Sequence, residues 1–119
     1  NETMWVVHAP GIWRFKVPAG SKSLKISFGY PEAAYTGHAI TDGGEFEMIL
    51  VKPGGSGSFF KIALFPASVP EHRGVQHFTA GLPAGITGEE ELVLQTLPGV
   101  TTTTDWTCWG LPRFSQDSL

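Results

Sequence analysis

Apolar and polar residues alternate through much of this chain. Trp13, Phe15 and Val17 take turns with Arg14 and Lys16, and Leu24, Ile26 and Phe28 take turns with Lys25 and Ser27. A period of two is the mark of a strand with one buried face, because successive side chains leave a strand on opposite sides. Phe46, Met48 and Leu50 alternate in the same way with Glu45 and Glu47. After a turn at Pro53-Gly54-Gly55-Ser56-Gly57, Phe60, Ile62 and Leu64 alternate with Lys61 and Ala63. This pair is the clearest hairpin in the chain. Shorter segments at 5–8, 76–79, 91–97 and 105–110 bring the expected number of strands to about eight, the spacing of a sandwich or barrel.

Fifteen glycines and nine prolines divide the chain into pieces too short for helices. Only residues 31–35 suit a helical turn, bounded by Pro31 and Gly37. The fold class expected is therefore all-β: an antiparallel β-sandwich of jelly-roll type, burying the alternating aromatic and aliphatic positions between two sheets. At 119 residues the chain is expected to form one domain, 1–119, with its core at about 5–112. Its polar ends, Asn1-Glu2-Thr3 and Ser115-Gln116-Asp117-Ser118-Leu119, suit a domain cut from a larger protein.

Charge narrows the choice of partner. The net charge is −3, and the eight Lys and Arg are scattered, whereas a phosphate-backbone surface needs a concentrated basic stripe. Nucleic acid is not an expected partner. No apolar run reaches the length of a membrane span, so direct membrane insertion is not expected either. The single cysteine, Cys108, forms no intramolecular bridge, and its place between Trp106 and Trp109 reads as a buried small side chain.

Candidate binding residues gather in connections. Tyr30, Tyr35, His38 and Asp42 fall between the strand of Leu24 and the strand of Glu45, where aromatic faces beside hydrogen-bonding groups suit a sugar. The same tyrosines can serve only to pin the connection to the sheets. Asp42-Gly43-Gly44 is turn chemistry, with a structural calcium near Asp42 as the alternative reading. His72, Arg73 and His77 follow the Phe65-Pro66 strand end; their spacing does not suit zinc, and Arg73 can meet either a ligand or a backbone carbonyl. Trp106 and Trp109 fall on opposite faces of a regular strand, so one of them packs elsewhere than the inner core or offers a ligand platform. The ligand-binding set expected is Tyr30, Tyr35, His38, Asp42, Arg73 and Trp109.

There is no Gly-x-Ser-x-Gly elbow, no His-Glu-x-x-His and no phosphate loop, and Glu45 and Glu47 share a solvated strand face. An enzyme is not expected; a small glycan-active one would have to use His38 with Asp42.

The succession Ile26-Ser27-Phe28-Gly29-Tyr30, Ala34-Tyr35-Thr36-Gly37, Thr41-Asp42-Gly43-Gly44-Glu45-Phe46 and Asp105-Trp106-Thr107-Cys108-Trp109 resembles the galactose-binding-like jelly-roll superfamily. It is most similar to the NPCBM type of carbohydrate-binding module. The resemblance covers residues of about 10 to 110; Cys108 and the glycine-rich turn of 53–58 depart from it. It implies a non-catalytic, often sugar-binding accessory domain, sometimes with a structural calcium and otherwise without a cofactor. Such a domain would be attached to a catalytic or membrane domain and would have an extracellular or cell-envelope location. The alternative is a structural, protein-docking domain of an envelope glycosyltransferase or surface assembly, whose exposed aromatics would meet protein.

Overall fold

The computed structural model describes the backbone of residues 4–8, 11–36, 43–98 and 106–118; the side chains of residues 4–8, 33, 34, 56, 58, 59, 98 and 106 are outside the description. Within it, nine strands and two short helical turns follow one another. The strands are β1 (Met4–His8), β2 (Gly11–Lys16), β3 (Ser23–Tyr30), β4 (Gly44–Lys52), β5 (Gly55–Leu64), β6 (Gly74–Gly81), β7 (Glu91–Pro98), β8 (Trp106–Gly110) and β9 (Arg113–Ser115). The helical turn α1 (Ala33–Thr36) follows β3, and a 3-10 turn (Pro70–His72) precedes β6. The fold is all-β, in two antiparallel sheets with almost no helix.

One sheet runs β1-β8-β3-β6, with β9 also paired to β3, and the other runs β2-β7-β4-β5. The pairing is nested. β4 pairs with β5, β3 with β6, β2 with β7 and β1 with β8, each pair enclosing the one before it. The innermost pair is the expected hairpin, closed by Pro53-Gly54 between Lys52 and Gly55. Gly54 has φ +91°, and proline followed by a residue of positive φ is what a type II turn requires. A bulge between Met48 and Ile49 sets Phe60 and Ser58 opposite consecutive β4 residues and bends the hairpin.

Alternation decides what is buried. β3 turns Leu24, Ile26, Phe28 and Tyr30 inward, β4 turns Phe46, Met48 and Leu50, and β7 contributes Leu92 and Leu94. Where the two sheets meet, Phe28 of β3, Phe46 of β4 and Trp109 of β8 form a triangle with ring centroids 5.3, 5.5 and 5.6 Å apart. Tyr30 adds an edge-on contact to Phe46 at 5.5 Å. One strand was not legible in the alternation: β9, at 113–115, lies beyond the expected core limit of 112. Three residues are too few to show a period, yet Phe114 packs against the core, and Arg113, Phe114 and Ser115 pair with Lys25, Leu24 and Ser23.

A buried carboxylate fastens the end opposite the β3–β4 connection. Glu90 is only 5% exposed; its carboxylate accepts the backbone N–H groups of Thr87 and Gly88, both at 3.0 Å, and the Thr87 hydroxyl at 3.2 Å. Its own carbonyl accepts from the N–H of Val17 at 2.9 Å, so one residue ties the segment before β7 to the exit of β2. Burial pushes the Glu90 carboxyl up, and the hydrogen bonds it accepts more than reverse this, leaving its pKa below the ordinary 4.5.

Two stability predictions follow from this packing. A Cβ on Gly44 would lie 2.5 Å from the carbonyl oxygen of Leu97 and 2.8 Å from the Tyr30 hydroxyl; Gly44→Ala is expected to cost about 2 kcal/mol in urea unfolding, in the range of overpacked cores. For Glu90 the folded pKa lies below the unfolded one, so its contribution is complete above the unfolded value and lost as pH falls through the folded value. Glu90→Gln should therefore flatten the acid limb of the stability profile below about pH 4.5; an unchanged acid limb would show that other groups set it.

Candidate functional site

The registers place four connections at one end of the sheets. His8, at the end of β1, lies opposite Trp106 at the start of β8, and Tyr30, at the end of β3, lies opposite Gly74 at the start of β6. In the other sheet, Gly44 at the start of β4 lies opposite Leu64 and Pro98, the ends of β5 and β7. The closeness of the Tyr30 hydroxyl to Gly44 joins these two sets of strand ends. The connections β1–β2, β3–β4, β5–β6 and β7–β8 therefore leave the sheets together, and connections held by a rigid scaffold are where such folds carry binding groups.

Of the expected ligand-binding residues, the structure brings Tyr35 and Arg73 together. Tyr35 lies in α1, its amide donating to the carbonyl of Glu32 at 3.1 Å, and its half-buried ring lies with the Arg73 guanidinium carbon 5.4 Å from its centroid. Arg73 is held on its other side. Its Nε donates to the carbonyl of Pro66 at 2.6 Å and its Nη2 to that of Ala67 at 3.1 Å. The backbone-carbonyl reading of Arg73 is thus realised, and the planar guanidinium still presents a face to Tyr35.

Two neighbours complete the group. The amide of Phe65 donates to Nδ1 of His72 at 2.9 Å, which in the neutral ring puts the proton on Nε2 and makes that atom a donor. The Phe65 ring, 43% exposed, lies 6.3 Å from the imidazole. The result is an exposed Phe65 ring beside His72 and a half-buried Tyr35 ring beneath the Arg73 guanidinium, on a connection that the Arg73 bonds hold in shape. The sequence signal for Phe65 is its place directly after inward Leu64, which on an extended chain turns it the other way.

Two other expected ligand contacts are corrected. Tyr30 is 3% and Trp109 is 1% exposed, both within the aromatic core, and neither offers a face to a ligand. Tyr30 continues the inward series of β3, and Trp109 lies on the side of β8 that meets Phe28 and Phe46. His38 and Asp42 lie outside the described residues, as does the side chain of Trp106. The calcium expected near Asp42 rests on a residue outside the description; among the described residues no three His, Cys, Asp or Glu side chains gather as a metal site. His77 belongs to β6 and not to the connection before it.

Glu45 and Glu47 sit on the outer face of β4, and Glu45 meets Lys61 at 3.1 Å. That hydrogen bond and the charge of Glu45 raise the pKa of the Lys61 ammonium. Cys108 is buried, and desolvation raises the pKa of its thiol. The thiolate is the reactive form; a disulfide-exchange reagent such as DTNB is expected to leave Cys108 intact in the native protein and to modify it stoichiometrically in denaturant. Rapid native labelling would contradict the burial described.

Compared with known proteins, the chain matches no family model, no curated protein and no solved structure.

Proposed function

We propose that this protein is a non-catalytic carbohydrate-binding module of the jelly-roll type, similar to NPCBM domains, which brings an attached enzyme or surface protein to a glycan. The observation that carries the reading is the group at the loop end: the Tyr35 ring under Arg73, the exposed Phe65 ring, and His72 with its Nε2 proton fixed as a donor. A pyranose has an apolar face of C–H groups and a rim of hydroxyls, which an aromatic surface bordered by donors complements.

The strand order supports the jelly-roll part of the proposal. Nested pairs wound so that they fall into the rows 1-8-3-6 and 2-7-4-5 are what a folded-over hairpin ribbon produces, and jelly rolls recur in lectin domains. Fold alone does not carry activity. His38 and Asp42 fall between β3 and β4 in the chain, and in this reading they add polar contacts, with a calcium ion near Asp42 as a structural element. An extracellular or cell-envelope location follows from the same proposal.

The test is binding of the isolated chain to a broad glycan array, with calcium and again with chelator. A selective signal is expected, weakened about tenfold by Tyr35→Ala or by Phe65→Ala, as loss of one aromatic contact implies. Loss with chelator would place the ion in the site. A blank array would overturn the glycan reading and leave the protein-docking domain, for which exposed Phe65 and Val75 would be the contact residues.

A further inference from the structure

A second constellation lies away from the loop end, on the outer face of the β3, β6 and β9 strands. β3 pairs with β8 through Phe28 and Gly29 and with β9 through residues 23–25. Neither register includes Ile26 or Ser27, so the sheet has a break on that side of β3. At this level is a shallow depression of about 190 Å3 lined by Lys25, Ile26, Ser27, His77, Phe78, Thr79 and Arg113. Among the described residues no carboxylate lines it, although acidic residues outnumber basic ones in the chain by 11 to 8.

The polar members are set by the ladder. Arg113, Lys25 and Thr79 stand in one cross-strand row over β9, β3 and β6, and Ser27 and His77 stand opposite one another two residues along. Strand spacings place these five groups within a patch about 10 Å wide and 7 Å long. The Ser27 hydroxyl, itself on a buried residue, lies 3.1 Å from Nδ1 of His77. With that hydroxyl as donor, the neutral imidazole carries its proton on Nε2, leaving an N–H for a ligand. Lys25, His77, Thr79 and Arg113 are exposed.

We propose that this depression binds an oxyanion group, a sulfate or carboxylate, between Lys25 and Arg113 with His77 and Thr79 as further donors. Two cations brought together by register, an imidazole and a hydroxyl donor beside them and no acid among the described lining residues suit charge-assisted recognition of such a group. A guanidinium has five N–H donors, so Arg113 can hold an anion alongside another contact. The site stands on this geometry. That its anion is carried by an acidic saccharide rests on the glycan-binding reading above, and the depression would then select sulfated or uronate-bearing chains.

The experiment is a two-dimensional amide NMR titration of the whole chain, first with inorganic sulfate against chloride at constant ionic strength. Selective, saturable shifts are expected at the amides of residues 25–27, 77–79 and 113. The surface variant K25Q/R113Q is expected to weaken sulfate binding at least about tenfold, with an amide spectrum that stays dispersed as in the folded protein. Shifts spread evenly over the surface, or the same affinity in the variant, would overturn the site. A sulfated, a uronate-bearing and a neutral oligosaccharide then separate the sources of the anion. Acidic saccharides that shift these amides while the neutral one does not support the saccharide assignment, and sulfate binding without any acidic-saccharide binding overturns it. Shifts at Tyr35 and Phe65 report the loop-end site independently, so failure there would leave the oxyanion site in place.

Discussion

The two sheets of this protein are joined by three rings. Phe28, Phe46 and Trp109 come from β3, β4 and β8, far apart in the chain, and each touches the other two. Aromatic pairs in tilted and edge-on arrangements contribute about 0.5–1.5 kcal/mol beyond the apolar area they bury, and truncating such a ring to alanine costs about 3–5 kcal/mol. That is a large share of a typical domain's total stability of about 5–15 kcal/mol. What makes the triangle a constraint as well as a contribution is register. A slip of one residue in β3 or β4 would carry its whole inward series to the solvent side, so the rings also fix which residues can stand at the loop end and on the outer faces.

Both candidate sites depend on this arrangement. The loop-end group exists because Tyr30 and Gly44, the last residue of β3 and the first of β4, are held close by the packing of Tyr30 on Phe46, which brings the connection carrying Tyr35 beside the one carrying Arg73. The outer depression exists because the inward placement of Ile26 and Phe28 forces Lys25 and Ser27 outward, and the β3–β6 ladder sets them against Thr79 and His77. One strand thus supplies a core with one face and a polar surface with the other.

Much of the fold was legible in the residues, and the reasons for the exceptions are physical. β2, β3, β4 and β5 carry Arg, Lys or Glu on one face, so alternation marks the outside as well as the strand. β8 does not: Thr107, Cys108, Trp109 and Gly110 are all buried, no charge marks a wet face, and alternation alone does not say that Trp109 points inward. Tyr30 is a different case, since it continues the even-numbered inward series of β3, which runs two residues beyond the clear alternation that ends at Phe28. The approach of Arg73 to Tyr35 and of Ser27 to His77 depends on residues 38 and 50 positions apart. No local pattern encodes such a meeting; it arises only when the ladders close.

The nested pairing has a kinetic consequence. Among the described strands, only β4 and β5 are both neighbours in a sheet and adjacent in the chain; the next pair encloses them, and so on out to β1 with β8, whose outermost register joins Met4 to Gly110. Each doubling of the loop to be closed costs only about 0.6 kcal/mol more in chain entropy, but the contacts that offset this cost form only after closure. Chains dominated by such distant pairings fold in milliseconds to seconds. The structure therefore has a natural order of assembly, from the Pro53-Gly54 turn outward, in which Phe46 waits in the innermost hairpin until Phe28 and then Trp109 arrive from successively longer range.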